Sequence, residues 1–233
     1  MRLNKFISSC GIASRRAADS LIIEGRVMVN NEVVKELGSQ VSPSDTVLVN
    51  GKIAHLPQKT TIILFHKPPG CVCSAFDPQG RKTVYDYLPP GYRGLKYVGR
   101  LDLQSRGLLL FTDNGELAHR LTHPSYQIQR SYLVWSEPNL SKQDAESIIN
   151  GVDIGDGETG HAEAIYLKNG FVEMVLTEGK NREIRRMMES LSYRINDLKR
   201  ISFCGIPLGT TPACDFRELS PDEVQMILKV CEL

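Results

Sequence analysis

Short apolar runs broken by Asn, Gly and Pro dominate this chain and restrict what it can build. Val27–Val29 and residues 32–34 flank Asn30-Asn31, and Val47–Val49 ends in Asn50-Gly51. Residues 162–167 and Phe171–Leu176 flank Asn169-Gly170. Such dipeptides accept the positive φ of two-residue turns, so these segments predict antiparallel hairpins. Residues 61–65 and 107–111 are the longest apolar runs, the first stopped by Lys67-Pro68-Pro69-Gly70. Both fall far short of the roughly 18 residues of a membrane-spanning helix. Hydrophobic residues make up 41% of the 233, enough for a core, so most of the chain is not disordered.

Helical patterns sit between these runs. Ser14 is a natural N-cap for a helix through Glu24, with Ala17, Ala18, Leu21 and Ile22 as its apolar stripe and Gly25 at C′. Residues 83–88, 116–121 and Lys142–Asn150 predict shorter helices. In a helix from about 181 to 191, Ile184, Met187, Met188 and Leu191 face the core. Arg182, Arg185, Arg186 and Glu189 share the opposite face. Three arginines near a helix N-terminus oppose the macrodipole at about 0.3–1 kcal/mol each, which suggests an anionic partner. Trp135 follows Tyr132 by three on a predicted strand, so it points to the other face and into the core. Residues 55–60 lack periodicity and read as a linker.

The net charge of +1 hides an uneven distribution. Residues 133–179 carry nine acidic and two basic side chains, whereas residues 180–200 carry seven basic and three acidic. A basic face is the footprint of nucleic-acid binding, although charge alone fits an evenly solvated surface better. The six cysteines are scattered with no C-x-x-C pair, and the N-terminus has a charge but no apolar signal segment. Reduced thiols and a cytoplasmic location are the expectation, with no membrane contact. His119 and His123 stand at i, i+4, but no third ligand is evident and Arg120 occupies the place of a metalloprotease Glu, so no metal is expected.

Asp102 lies in the segment Gly99-Arg100-Leu101-Asp102-Leu103-Gln104-Ser105-Arg106-Gly107, followed by Leu108-Leu109-Leu110-Phe111-Thr112. Nearby positive charge favours an ionised carboxylate, which can act as nucleophile or base. On the local pattern alone, a loop Asp that only makes a turn or a surface ion pair is the better fit.

The ordered motifs resemble those of pseudouridine synthases of the RsuA/RluB type. Gly99-Arg100-Leu101-Asp102 with Ser105 and residues 107–112 matches the active-site signature of that family. Arg130-Ser131-Tyr132 matches its basic-x-Tyr motif, and Glu178-Gly179-Lys180-Asn181-Arg182-Glu183-Ile184-Arg185-Arg186-Met187 its late basic motif. Residues 200–209 match its closing strand, and the N-terminal segment from Arg2 to Asn30 resembles an S4 RNA-binding domain. Departures are Lys/Arg exchanges at Arg130 and Lys180 and the order Asp113-Asn114-Gly115.

The resemblance implies an α+β protein: an S4-like module over residues 1–57, then a catalytic domain over 58–233 with a mixed, mainly antiparallel sheet and flanking helices. It implies isomerisation of a uridine in ribosomal RNA, naked or in an assembly intermediate, without cofactor or metal; because no apolar stripe or heptad run suggests a partner chain, a monomer is the expectation. Asp102 matches the catalytic aspartate, Tyr132 the tyrosine against the target base, and Arg185 the basic partner of the aspartate. The base must leave its stack, at a cost of a few kcal/mol. Arg100, Arg106, Arg182 and Arg186 are candidate phosphate contacts, and Arg2, Lys5, Arg15, Arg16 and Arg26 are the candidates in the S4-like module. The competing readings are a non-catalytic RNA-binding protein of ribosome assembly and a glycoside hydrolase. The second would need another carboxylate about 5–10 Å from Asp102.

Overall fold

In a computed structural model of the chain, residues 1–57 and 59–233 are described. They form two compact units: Met1–Thr60 with Asp113–Gly115, and Thr61–Thr112 with Glu116–Leu233. The expected boundary at 57/58 falls just before this division. Gln58, within the linker read at 55–60, lies outside the described residues.

The N-terminal unit opens with α1 (Leu3–Ser9) and α2 (Arg15–Ile23). Ser14 Oγ accepts the Ala17 N–H at 3.2 Å, and Gly25 follows the helix at φ +70°, as the cap residues predict. Strands β1 (Val27–Val29), β2 (Glu32–Val33), β3 (Val47–Val49) and β4 (Lys52–Ile53) form a sheet in the order β2-β1-β3-β4. Both hairpins turn where the dipeptides lie. Asn30, Asn31, Asn50 and Gly51 all have positive φ, which matches the right-handed twist of the strands they join. Leu3, Ile7, Ala18, Ile22, Val27 and Val47 are buried together. Ala17, expected in the stripe, is exposed, so the buried face of α2 is narrower than its composition suggests.

The C-terminal unit contains β5 (Ile62–Lys67), β6 (Lys96–Val98), β7 (Arg106–Thr112), α3 (Gly115–Thr122, its first residue grouped with the N-terminal unit) and β8 (Arg130–Glu137). Next come α4 (Lys142–Asn150), β9 (Val152–Asp153), β10 (Thr159–Gly160), β11 (Ala164–Lys168) and β12 (Phe171–Leu176). The chain ends with α5 (Glu183–Ser190), β13 (Arg194–Phe203), β14 (Ile206–Pro207), β15 (Phe216–Glu218) and α6 (Pro221–Val230). The main sheet runs β11-β12-β8-β13-β7-β5-β15, with β6 on β7 and β14 on β13. Among the described residues of this sheet only the β13–β7 pair is parallel, so the sheet is mixed and mainly antiparallel. Among the described residues no helix is long and apolar enough to cross a membrane.

Two apolar clusters frame the site. Leu117 and Leu121 of α3 and Ile227 of α6 pack on Leu108 and Leu110 of β7. Ile148 of α4 and Ile184, Met187 and Met188 of α5 pack with Val134 and Met174. Along β8 and β13, Val134 pairs Leu198 in the second cluster, and Phe203 of the first pairs Arg130. Tyr132 and Arg200 are paired between them. Cross-strand partners share a face, so the gap between the clusters presents a phenol and a guanidinium.

Gly107 makes the parallel junction. A Cβ there would stand 2.2 Å from Arg200 O and 2.7 Å from Arg200 N, and its φ is +108°. Only glycine allows the strands so close.

Two expectations need correction. Trp135 is half-buried rather than core: its ring packs on Phe171, with centroids 5.6 Å apart, and under Arg106 at 5.5 Å. Arg182 is not on the face of α5. It precedes the helix in a left-handed conformation at φ 50°.

Candidate active site

Asp102 sits in the loop between β6 and β7, and a buried lysine holds that loop. Lys67, at the end of β5, is fully buried. Its Nζ donates to the carbonyl oxygens of Pro68 (3.0 Å), Asp102 (3.1 Å) and Ser105 (2.8 Å). Burial pulls the lysine below its ordinary pKa. The Ser105 N–H closes the turn onto Asp102 O at 3.0 Å. Cys73 Sγ donates to Leu101 O at 3.4 Å, and burial raises its thiol pKa, so it serves as a tether rather than a nucleophile. In sequence, Lys67 opens the Lys67-Pro68-Pro69-Gly70 segment that stops an apolar run. The fold turns it inward.

The Asp102 side chain is 29% exposed, with Arg185 Nε at 3.8 Å and Arg182 Nη1 at 3.9 Å. Arg185 projects from α5, and its Nη2 donates to Ser105 Oγ at 3.1 Å. Desolvation lowers its pKa and Asp102 opposes that shift. Tyr132 Oη accepts from Arg200 Nη1 at 3.5 Å. Arg200 is buried, donates through Nε to Leu108 O at 2.7 Å, and lies 4.8 Å from the Phe203 ring centroid. Arg130, also buried, donates to Thr177 O, Glu178 O and Leu121 O, stapling the start of β8 to its neighbours.

These side chains line an open cleft of about 380 Å³. Among the described residues, the buried side-chain polar atoms without a partner are Glu183 Oε1, Arg185 Nε and Arg200 Nη2. All three residues line this cleft. Buried polar atoms are nearly always paired, so such a concentration marks a place built for a ligand. Lys180 N–H satisfies the other oxygen of Glu183 at 3.0 Å, and burial raises that carboxyl's pKa. Arg200 and Glu183 had no role in the sequence reading. Their burial comes from packing between distant segments, for which the local pattern has no signal.

The basic residues divide into free and committed. Arg100 is exposed at the edge of the cleft, and Arg182 is 52% exposed. Arg106 is instead held by Asp197, with Nε 3.0 and 2.8 Å from its two oxygens. Arg186 donates to Ile154 O (2.8 Å), Gly155 O (2.9 Å) and Glu158, away from the cleft. In the N-terminal unit, Arg15 and Arg16 are exposed in the first turn of α2. Arg2 is exposed and bridges Gln40, and Lys5 is half-buried on α1. Arg26 is tied to Asn50 at 2.7 Å and Glu24 at 3.0 Å. The His119 and His123 ring centroids lie 5.0 Å apart with the planes tilted by 59°, and no group of three metal-ligating residues occurs among the described residues.

An aspartate facing a half-buried arginine beneath a mixed sheet, with a tyrosine in the same cleft, defines a class that comparison makes specific. Residues 61–190 match the RNA pseudouridylate synthase family and residues 1–47 match the S4 domain. The chain belongs to the RNA pseudouridylate synthase family and is an RNA pseudouridine synthase with an N-terminal S4 domain. It is 36% identical to the ribosomal large subunit pseudouridine synthase B of Bacillus subtilis, over 97% of this chain and 95% of that protein. It is 36% identical to the Vibrio vulnificus protein of the same name, over 100% of this chain and 76% of the relative. A solved structure described as a pseudouridylate synthase is similar at TM-score 0.71 and 26% identity, covering 97% of this chain and 99% of that one.

Proposed function

We propose that this protein converts a uridine of ribosomal RNA to pseudouridine, with Asp102 as the catalytic carboxylate. The observation that carries this reading is the 3.8 Å approach of Arg185 to Asp102 in a cleft that Tyr132 also lines. In the reaction the N1–C1′ bond breaks, the uracil turns and C5 bonds to C1′. C5 loses its proton and N1 gains one, so no atom is added overall. Asp102 acts beside the sugar. Attack on C1′ and assisted removal of a sugar proton both suit that position. Arg185 pairs with the carboxylate, and Tyr132 packs on the base and helps at C5. Apo contacts near 3.8 Å tighten when substrate closes the site.

The target base leaves its stack to reach the cleft, and phosphate contacts offset that cost. Arg100 is free to make them at the cleft, and Arg182, 52% exposed and 3.9 Å from Asp102, stands beside it. Arg2, Lys5, Arg15 and Arg16 serve the S4 unit, whereas Arg26, Arg106 and Arg186 mainly brace the fold. The names of the relatives favour large-subunit RNA as substrate. The protein acts as a monomer in the cytoplasm. Its six free cysteines suit a reducing compartment, with Cys71 pushed up to about 11 and Cys204 to about 12 by burial.

Release of tritium from C5-labelled uridine tests this. Unmodified transcripts of both ribosomal RNAs, and assembly intermediates, are the substrates. Wild type releases tritium and Asp102→Ala does not. Release by both proteins would remove Asp102 from its role, and release by neither would overturn the substrate assignment.

A further inference from the structure

A second open cavity, about 360 Å³, shares Arg182 and Arg185 with the catalytic cleft. Its wall continues through Glu189, Ser192, Tyr193 and Arg194, where α5 turns into β13. The volume lies within the range of about 300–1,000 Å³ that accommodates small ligands. Three guanidinium groups meet one carboxylate here. Arg194 is exposed and has no ion pair or side-chain hydrogen bond among the described residues. Arg182 has only its 3.9 Å contact with Asp102. With Asp102 shared by Arg182 and Arg185 and Glu189 in the wall, the cavity keeps a net positive charge, centred on Arg194, which favours a polyanion.

Tyr193 adds a second kind of contact. Its hydroxyl donates to Asp144 Oδ2 at 2.6 Å and accepts the Ser141 N–H at 3.1 Å. Both roles of the hydroxyl are filled, so the ring is fixed at the cavity wall. A fixed aromatic ring beside free arginines is the combination that holds single-stranded nucleic acid, by stacking and phosphate contact.

We infer that this groove takes the nucleotide adjoining the target uridine, with its phosphodiester on Arg182 and Arg194 and its base against Tyr193. Resting on the RNA function proposed above, it extends the substrate path past the arginine wall that the two cavities share. Asp102 and Tyr132 do not line it, and beyond the shared Arg185 its contribution is affinity and register.

Fluorescein-labelled nine-residue oligouridylate, measured by anisotropy from low salt to 0.15 M, tests the groove on the full chain. Arg194→Ala should raise Kd several-fold and reduce the slope of log K against log salt by about 0.7, the share of one single-strand phosphate. Lys168→Ala removes another exposed cation, on β11, and should change neither. In the tritium assay Arg194→Ala should raise KM and spare kcat. Unchanged binding by Arg194→Ala, or equal losses in both variants, would overturn the groove. If wild type released no tritium, the synthase substrate would be wrong, and the anisotropy comparison would still decide the groove.

Discussion

Arg185 faces Asp102 with a buried Nε that makes no hydrogen bond, 3.8 Å from the carboxylate, while its Nη2 is anchored on Ser105. The arginine is thus aimed by one end and left unsatisfied at the other. Lysine would keep the charge and lose the planar fork. Arg185→Lys should forfeit a charge-assisted interaction of about 1.5–3 kcal/mol, or roughly ten- to a hundredfold in kcat, with a smaller change in KM. Single-turnover kinetics on ribosomal RNA measures this.

Lys67→Met keeps the length of the side chain but removes the lysine donor from the Ser105 carbonyl and leaves the Asp102 carbonyl with the Ser105 N–H alone. Each unpaired buried group costs about 1–3 kcal/mol, so urea denaturation should show a clear loss of stability. Activity should fall further than the folded fraction does, because the loop that carries Asp102 loses its tether.

Glu183 couples the site to pH. Burial raises its folded-state pKa above the ordinary 4.5. The folded protein therefore holds a proton that the unfolded chain has already released. Stability from this group is full below about pH 4.5 and is lost as pH rises through the raised value. Glu183→Gln abolishes the titration. The variant should match wild type near pH 4 and melt higher than wild type near pH 8 in calorimetric scans.

Gly107→Ala should be the most damaging methyl addition in the C-terminal unit. The Cβ would meet Arg200 O at 2.2 Å, a backbone atom that cannot rotate away. A loss of more than about 3 kcal/mol is expected, read by thermal unfolding. Gly170→Ala, with nothing within 4 Å of its Cβ but φ +83°, should show only the milder strain of a positive-φ turn.

Arg15→Ala with Arg16→Ala should weaken RNA binding and lower its salt slope by about 0.7–0.9 for each phosphate the variant no longer neutralises. Both side chains are exposed and stand outside the Ser14 cap, so the melting temperature should not move. An unchanged slope would remove these arginines from the RNA-binding surface.

The sequence by itself determined the local events and their order. The hairpin dipeptides, the Ser14 cap and the buried stripe of α5 depend on neighbours within a few residues, and they stand where the pattern puts them. The motif order placed Asp102, Tyr132 and Arg185 in one protein, and the fold brings them to one cleft. The tertiary structure decided which charges are available. Arg106 and Asp197 are 91 positions apart, and Arg186 and Glu158 are 28 apart, so only the sheet order and the seating of α5 could pair them. The same closure buried Lys67 and Arg200, and it left Trp135 half-covered under Arg106 instead of inside the core. Charge pattern treats every arginine alike. Desolvation and partner geometry, which exist only after the strands have paired, separate those that brace the fold from those that can meet RNA.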